Sequence, residues 1–318
     1  MAPRGRTRIG WAQLPVAVRA GVEEILGARV VSAASQPGGL SPGSADRLVT
    51  DDGGTAFVKA VSSAQNQDSP GIHRAEAAVC RQLPADLPAA RFIGLYDDGD
   101  WVALVLEDVE GRHPATPWVT AELEASLQTL ATIAERLTPS PVTGIATAAA
   151  ALSSTLDGWA RLAADTPSDL HPWAAEHLHD LVELSRQGVE SLAGDTVVHM
   201  DVRADNLLLT PTGGVVLVDW PWACVGASWA DTVALLVNVN LHGGHDVDEL
   251  VSRYAVGAGR AQVDGFLAGL AGFFLDGARL PDPPGLPTLR GFQRVQGNAT
   301  LEWLARRLDW GSTPVRRG

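Results

Sequence analysis

Three polar residues past the middle of the chain have types and a spacing that could support metal and acid–base chemistry. Asp201 and Asn206 lie in the loop HMDVRADN, and Asp219 follows the apolar run VVLV. Carboxylate and amide oxygens suit Mg²⁺, whose remaining positions can go to phosphate and water. Asp201 could act as a general base beside a metal-bound phosphate. Each residue alone is ordinary in a loop, so the prediction depends on the complete spacing H-x-D-x-x-x-x-N with the later aspartate.

The two metal-ligand candidates, Asn206 and Asp219, are expected to meet across a β-hairpin. The segment NLLLTPTGGVVLVD has two apolar runs around a Pro/Gly turn at residues 211–214. If Thr210 pairs with Val215, Asn206 lies opposite Asp219, and directly opposed residues project to the same face. A slip of one residue would separate the two side chains, so the prediction depends on the register.

The elements that must position these residues differ between the two ends of the chain. The first part has a predicted helix that ends near Gly27, strands in RVVSAAS, ADRLVT and TAFVKAV, the helix IHRAEAAVCRQL and a further hairpin. The later part has helical apolar spacing, with one β-like stretch around the loop HMDVRADN. We therefore predict an α+β fold with a β-rich lobe over residues 1–108 and a mostly helical lobe over 109–318. A cleft between the lobes is the expected place for chemistry.

Two segments around these residues resemble those of a known family. The segments VVHMDVRADNLLL and VVLVDW are similar to the catalytic and metal-binding segments of the aminoglycoside phosphotransferase family, which shares a protein-kinase-like fold with choline kinases. The resemblance implies that fold over most of the chain, with ATP and Mg²⁺ as cofactors. It implies a catalytic role for Asp201 and Mg²⁺ binding by Asn206 and Asp219.

Some positions depart from the family pattern. Met200 stands where the family usually has glycine, which raises the question of how the loop backbone turns. Asp219 is followed by WPW rather than by F-G, and no A-P-E segment follows, which argues against a protein kinase. The resemblance implies a structural hydrogen-bonding role for His199 and support of the catalytic loop by Asp231. The alternative for Asp231 is a helix-start charge that complements the helix dipole.

Lys59 is the only lysine in the chain. The kinase-like pattern implies that it contacts the nucleotide phosphates and pairs with a glutamate on the following helix. Glu76 lies on the apolar stripe that Ile72 and Val79 define, and a carboxylate on a buried face is costly unless it is paired. We therefore expect a Lys59–Glu76 ion pair. The alternative is that Glu76 lies at the helix edge and reaches solvent.

Other nucleotide contacts follow only from the resemblance. It implies that Gly38, Gly39 and Ser41, in the loop QPGGLSPGS, approach the phosphates through backbone N–H groups. The loop lacks G-x-G-x-x-G, so a plain turn between strands is the alternative. The resemblance also implies adenine contacts from the carbonyl of Glu107 and the amide of Val109, in the stretch LVLEDVEGR between the lobes.

Composition restricts the partners. The formal net charge of -13 argues against nucleic acid and anionic membranes as partners, and it is compatible with a cationic small molecule. Two cysteines cannot build a disulfide framework, which fits a reducing cytosol. We recognise no signal peptide and no membrane span, and expect a cytoplasmic protein.

These observations together favour an ATP- and Mg²⁺-dependent O-phosphotransferase. The acceptor is expected to be a cationic or polyhydroxylated small molecule, an aminoglycoside or another antibiotic, which would make the protein an antibiotic-resistance enzyme. Other alcohols stay open: a macrolide, a nucleoside, an amino sugar or a choline-like molecule. A nucleotide-binding regulator without turnover is an alternative from a different class. The motif HLH has poor zinc-ligand spacing for a helix face, and neither HLH nor HGGH has nearby cysteines. The tryptophans Trp220, Trp222 and Trp229 are candidates for the acceptor pocket or for the core.

Overall fold

The computed structural model of the protein describes residues 9–36, 43–283 and 286–310. The predicted phosphate-loop residues Gly38, Gly39 and Ser41 lie outside these ranges. None of the helices in the described ranges combines the length and the apolar character that crossing a membrane requires.

The first part of the chain forms an antiparallel five-stranded sheet with two helices. Its elements, in chain order, are α1 (Val16–Leu26), β1 (Val30–Ser35), β2 (Ser44–Thr50), β3 (Thr55–Ser62), α2 (Ser69–Cys80), β4 (Phe92–Asp97) and β5 (Trp101–Leu106). The strand order is β1-β2-β3-β5-β4, and every neighbouring pair is antiparallel. The predicted strands, hairpin and helices are therefore present, and α1 ends at Gly27, whose φ of 70° suits glycine.

Strand β3 places Lys59 opposite one of the two apolar cores. Val58 and Ala60 are fully buried and pack in a cluster with Val18 and Val22 of α1. Successive side chains of a strand point to opposite faces, so Lys59 projects from the other face of the sheet. Helix α2 also contacts β3, and its Glu76 ion-pairs with Lys59.

The later part of the chain is mostly helical. Its helices are α3 (Thr120–Arg136), α4 (Ala148–Leu156), α5 (Gly158–Ala164), α6 (Pro172–Glu176), α7 (Leu178–Ser191), α8 (Ala230–His242), α9 (Val247–Tyr254), α10 (Arg260–Ala278) and α11 (Leu289–Leu308). Four short strands lie between α7 and α8: β6 (Thr196–Val198), β7 (Leu207–Leu209), β8 (Val215–Leu217) and β9 (Cys224–Gly226). They form two separate two-stranded sheets, β6 with β9 and β7 with β8.

Three features of this part differ from the sequence-based expectation. Helices α4 and α5 were not predicted, because alanine, serine and threonine dominate α4 and leave little apolar periodicity. The apolar spacing of WAAEHLHDLVELSRQGVESL predicts one helix, but in the structure this stretch divides at His177 into α6 and α7. Strand β9 was also missed, since three residues are too few to show a period.

Candidate active site

The loop after β6 is held by a carboxylate from beneath it. Asp231, in the first turn of α8, is buried, and its two oxygens accept from the backbone N–H groups of His199 at 2.7 Å and Met200 at 2.8 Å. Burial raises the pKa of Asp231 to about 6, although both hydrogen bonds oppose the rise. Asp231 therefore contacts the loop directly, as its predicted supporting role requires.

Met200 has a backbone conformation that explains why glycine is usual at this position. Its φ is 65°, in the left-handed region that L-residues with a side chain rarely adopt. The Met200 N–H group is bound by Asp231, so the turn is held in spite of the side chain. The glycine-to-methionine departure therefore leaves the turn of the loop in place.

His199 is a buried connector within the loop. Its Nδ1 accepts from the N–H group of Asp201 at 3.1 Å, and its Nε2 lies 3.1 Å from the carbonyl oxygen of Val218. Burial lowers the pKa of His199 to about 4, so the ring is neutral near pH 7. A neutral ring that accepts at Nδ1 and donates at Nε2 satisfies both contacts.

The side chain of Asp201 is held on both oxygens. Its Oδ2 accepts from Asn206 Nδ2 at 3.1 Å, and its Oδ1 lies 2.6 Å from Arg203 Nη1. Burial raises the pKa of Asp201 to about 7, with Arg203 opposing the rise and the charge of Asp219 adding to it. A carboxyl whose pKa is near 7 can take up a proton at neutral pH, as a general base must.

The hairpin has a different register from the predicted one. Leu209 pairs with Val215, so the expected pairing of Thr210 with Val215 is wrong by one residue. The backbone of Thr210 bonds instead to Gly214, which closes a three-residue turn in which Gly213 has a φ of 85°. A turn with an odd number of residues shifts the partner of every later residue by one.

This shift places Asn206 beside Val218 rather than opposite Asp219. The carbonyl oxygen of Asn206 accepts from the N–H group of Val218 at 2.9 Å. Asp219 follows with a φ of 73°, a left-handed turn that ends the extended run of β8. The expectation that cross-strand pairing brings the two side chains to one face is therefore wrong.

Lys59 bridges two carboxylates from distant parts of the chain. Its Nζ lies 2.9 and 3.0 Å from the oxygens of Glu76 and 2.6 Å from Asp219 Oδ1. Burial alone would lower the pKa of Lys59, but the charges of Asp219 and Glu76 outweigh it and raise the pKa above its ordinary value. The predicted Lys59–Glu76 pair is present, and the alternative of a solvated Glu76 is excluded because this residue is 1% exposed.

The two carboxylates respond to Lys59 differently. Burial raises the pKa of Glu76, against the opposing charge of Lys59. Burial would also raise the pKa of Asp219, but Lys59 outweighs it and lowers this pKa. Asp219 is also the more accessible of the two, with 41% of its side chain exposed. It is therefore the carboxylate of the pair that a ligand can reach.

Comparison with models of known protein families gives a match that covers most of the chain. The model of a family described as "Phosphotransferase enzyme family" matches residues 41–268, which is more than half of the chain. The chain belongs to the phosphotransferase enzyme family. This membership confirms the predicted family and the prediction of an enzyme, a small-molecule kinase. No curated protein sequence gives a significant match.

Solved structures with the same fold come from several kinases. Choline kinase LicA from Streptococcus pneumoniae has 13% identity and a TM-score of 0.62, with 92% of this chain and 97% of that chain covered. Aminoglycoside phosphotransferase from Alicyclobacillus acidocaldarius has 18% identity and a TM-score of 0.55, with 87% and 91% covered. A thermostable mutant of aminoglycoside phosphotransferase APH(4)-Ia, in a ternary complex with ADP and hygromycin B, has 14% identity and a TM-score of 0.59, with 93% and 100% covered. These likenesses confirm the protein-kinase-like α+β fold.

The side chains of this phosphotransferase offer oxygens that fit Mg²⁺. Asn206 uses its Nδ2 group on the carbonyl and Oδ2 of Asp201, at 2.7 and 3.1 Å, and so turns its amide oxygen away from them. Asp219 has one oxygen on Lys59 and a second for which no hydrogen bond is present within the described residues. An amide oxygen and a carboxylate oxygen are hard ligands of the kind that Mg²⁺ prefers. The two residues therefore remain suitable ligands, although hairpin pairing does not bring them together.

The segment predicted to contact adenine directly follows β5. Glu107 and Val109 join the sheet to the helical part, and the Glu107 N–H group donates to the carbonyl of Arg91 at 2.8 Å. Arg47 of β2 donates to the Val109 carbonyl at 2.6 Å and forms an ion pair with Asp108 at 2.9 Å. The segment is thus fastened to the sheet.

The weaker sequence candidates have separate locations. Trp220 and Trp229 are buried core residues, whereas Trp222 is 52% exposed. Within the described part of the chain, no group of three or more His, Cys, Asp or Glu side chains is arranged to hold a metal ion. Only Trp222 of the three tryptophans therefore offers an accessible surface to a ligand.

Sequence reasoning missed Arg203, which contacts the candidate base. Its guanidinium bonds to both Asp201 and Asp205, and its side chain is 16% exposed. A signal was present in the loop, because one arginine stands between two aspartates in D-V-R-A-D. Residues two apart in an irregular loop can converge, but their sequence does not say whether they do.

Proposed function

We propose that this protein transfers the γ-phosphoryl group of ATP to a hydroxyl group of a small molecule. The observation that carries the proposal is the carboxyl group of Asp201, oriented on both oxygens and with a pKa of about 7. The charge of Asp219, which ion-pairs with Lys59, acts on this carboxyl group. A base next to cationic groups is the combination that phosphoryl transfer requires.

In the proposed reaction, Asp201 accepts the proton of the acceptor hydroxyl. The hydroxyl oxygen forms a bond to the γ-phosphorus in line with the bond that breaks, and ADP leaves with the bridging oxygen. Asn206 and Arg203 each contact the carboxylate of Asp201 and hold this base in place. Catalysis therefore comes mainly from positioning and charge stabilisation.

Lys59 and Glu76 are proposed to serve the nucleotide. Lys59 would contact the α- and β-phosphates while Glu76 keeps its ammonium in position. The phosphates would also receive backbone N–H groups from Gly38, Gly39 and Ser41. The adenine would be bound by the backbone of Glu107 and Val109. The solved complex with ADP and hygromycin B, whose fold is similar, supports the use of a nucleotide and a small acceptor.

Asn206 and Asp219 are the residues proposed to hold Mg²⁺. When bound, the ion would neutralise charge on the phosphates. His199 and Asp231 would hold the loop that carries Asp201 and Asn206. We further propose that residues 1–108 and 109–318 act as the two sides of the nucleotide cleft, and that the protein works in the cytoplasm, as an antibiotic-resistance enzyme if its acceptor is an antibiotic.

The test is a screen for phosphoryl transfer. The purified protein would be incubated with ATP, Mg²⁺ and a panel of aminoglycosides, macrolides, nucleosides, sugars and choline, and the products analysed by mass spectrometry. We expect one acceptor class to gain the mass of one phosphoryl group, and Asp201→Asn to slow this gain by about 10²–10⁴. If no acceptor gains mass and ATP is not consumed, the proposed function is wrong.

A further inference from the structure

Arg203 is fixed beside the candidate base, Asp201, by contacts to further residues as well as to this base. Its Nε and Nη2 donate to the two oxygens of Asp205, both at 2.9 Å, and its Nη1 donates to Asp201 Oδ1 at 2.6 Å. Paired N–H groups on one carboxylate fix the plane of a guanidinium as well as its position. The direction of the remaining donors of Arg203 is therefore fixed too.

An aromatic ring covers one side of this guanidinium. The central carbon of the guanidinium lies 5.1 Å from the centroid of the Phe292 ring, in the first turns of α11. Cations within about 6 Å of an aromatic face are attracted to it. Because Asp205 and Phe292 hold Arg203 from two directions, the catalytic loop and α11 are linked through this one side chain.

Two hydrogen-bond donors of Arg203 remain for a ligand. A guanidinium has five N–H groups, and three of them bond to Asp201 and Asp205. The other two have no protein partner within the described residues. They belong to the Nη1 and Nη2 groups, so they lie on the same guanidinium that contacts the base.

Asp201 and Arg203 together present one acceptor and one donor side by side. The carboxylate of Asp201 can accept a hydrogen bond from the reacting hydroxyl, as a general base must. A neighbouring oxygen of the same molecule can accept from Arg203. Two adjacent hydroxyl groups have both functions, whereas an ammonium has donors only and cannot accept from a guanidinium.

We propose that Asp201 and Arg203 recognise a vicinal diol of the acceptor, with the reacting hydroxyl on Asp201 and its neighbouring oxygen on Arg203. This inference rests on the proposed function and names the acceptor class for it. Of the two acceptor classes that the net charge and the family resemblance favour, it selects a polyhydroxylated molecule, and it places any ammonium group away from the reacting carbon. Arg203 is then a specificity-determining residue.

The first experiment uses the acceptor found in the screen. NMR of the product would locate the phosphate, which we expect on a hydroxyl with an oxygen on the adjacent carbon. A phosphate next to an amine or an unsubstituted carbon would overturn the inference while leaving the proposed function standing. A wild-type protein that transfers no phosphoryl group would refute both.

The second experiment changes the donor. We expect Arg203→Gln to raise the KM for the acceptor by about tenfold to a hundredfold, because a hydrogen bond to a charged group is lost. The KM for ATP should stay within about twofold of the wild-type value. A matched control is Arg74→Gln, because Arg74 makes the same two-nitrogen contact to a carboxylate, Asp97, on the first sheet. An unchanged acceptor KM in Arg203→Gln would contradict the inference.

The third experiment separates recognition from support of the loop. For the wild type, kcat/KM should be lower by about tenfold or more for the analogue of the acceptor that lacks the neighbouring hydroxyl. For Arg203→Gln the two acceptors should be nearly equal, because no charged donor remains to distinguish them. A purely structural role of Arg203 predicts instead that the preference for the diol survives. If the glutamine protein does not fold, the position of the phosphate in the product still tests the inference, because that experiment uses the wild-type protein.

Discussion

The Lys59 ammonium lies 2.6 Å from Asp219 Oδ1, and this ion pair joins two segments that are 160 residues apart in sequence. The same ammonium is also shared by both oxygens of Glu76 on α2. The side chain of Lys59 in β3 therefore contacts both α2 and the turn after β8. A ligand that binds Asp219 or Lys59 must alter this ion pair. Ligand binding is therefore linked to the relative position of β3 and the turn after β8.

Lys59→Arg is expected to be a non-conservative change. Lys59 Nζ meets three carboxylate oxygens, and a planar guanidinium prefers two oxygens of one carboxylate. Arginine should therefore pair with Glu76 and leave Asp219, and the phosphates that Lys59 is proposed to contact, without a donor. Loss of a correctly placed charge costs about 10²–10³ in rate, and we expect kcat/KM for ATP to fall at least tenfold.

Steady-state kinetics and a thermal melting curve of the purified Lys59→Arg variant would check this expectation. The melting temperature should stay close to that of the wild type, because the buried charge of Glu76 keeps a partner. Wild-type kinetics would mean that the only lysine of the chain is retained for no catalytic reason.

Asp219→Asn is expected to weaken binding of a divalent ion. The substitution keeps the shape of the side chain but removes the negative charge that a hard cation prefers. Titration of the nucleotide-bound protein with Mn²⁺, followed by electron paramagnetic resonance, should give at least a tenfold higher Kd. Asp180→Asn, on the exposed side of α7, is a matched control that should leave the Kd unchanged. Equal affinities of the Asp219→Asn and wild-type proteins would remove Asp219 from the metal site.

The sequence was sufficient to predict the elements around the site but not the geometry that closes it. Glu76 could be paired with Lys59 in advance, because a carboxylate on an apolar helix stripe needs a buried partner and the kinase-like pattern implies a strand lysine as that partner. The contact of Lys59 with Asp219 could not, since it depends on how the chain turns after β8.

The hairpin error has a physical cause of the same kind. Composition predicted the turn near Pro211, but three- and four-residue turns both accept the sequence PTGG, and the choice between them decides every pairing. The left-handed φ of Asp219 also redirects the chain after β8, and the alternation of side chains in the sequence does not reveal this turn. Arg203 was missed because its partners are two residues away on either side, a separation at which only a folded loop brings groups together.

The left-handed conformation of Met200 gives a prediction about stability. Met200→Gly and Met200→Ala remove the same packing, so their difference isolates the backbone. Because a left-handed residue with a Cβ costs about 1–2 kcal/mol, and glycine loses somewhat more entropy on folding, we expect the glycine variant to be the more stable by about 1 kcal/mol. Urea unfolding of both variants would measure it, and an alanine variant as stable as the glycine variant would show that the turn is not strained.

Asp201→Asn is expected to separate catalysis from binding. Asparagine keeps one oxygen for the loop contacts but cannot take the acceptor proton, and general-base catalysis contributes about 10²–10⁴ in rate. Turnover of the variant should fall by that factor. Nucleotide binding, measured by isothermal titration calorimetry, should stay near the wild-type value. Turnover close to that of the wild type would show that another group is the base.

The pKa of Asp201 predicts opposite effects of pH on activity and stability. Activity needs the ionised carboxylate, so with a pKa of about 7 the value of kcat/KM should fall about tenfold for each pH unit on the acid side. For stability, a folded pKa above the unfolded value of about 3.9 means that the native state binds the proton more tightly. The contribution of Asp201 to the free energy of unfolding is therefore fully present below about pH 4 and is lost as the pH rises through about 7.

Asp201→Asn tests both effects of pH with one protein, because asparagine does not titrate. Its melting temperature, relative to the wild type, should be higher at pH 8 than at pH 5, since only the wild type loses stability when Asp201 ionises. The control for activity is nucleotide binding between pH 5.5 and 8.5, which should change far less than kcat/KM over the same range. A relative melting temperature that does not change with pH would place the pKa of Asp201 at its ordinary value, and would leave the acid limb of activity to another group.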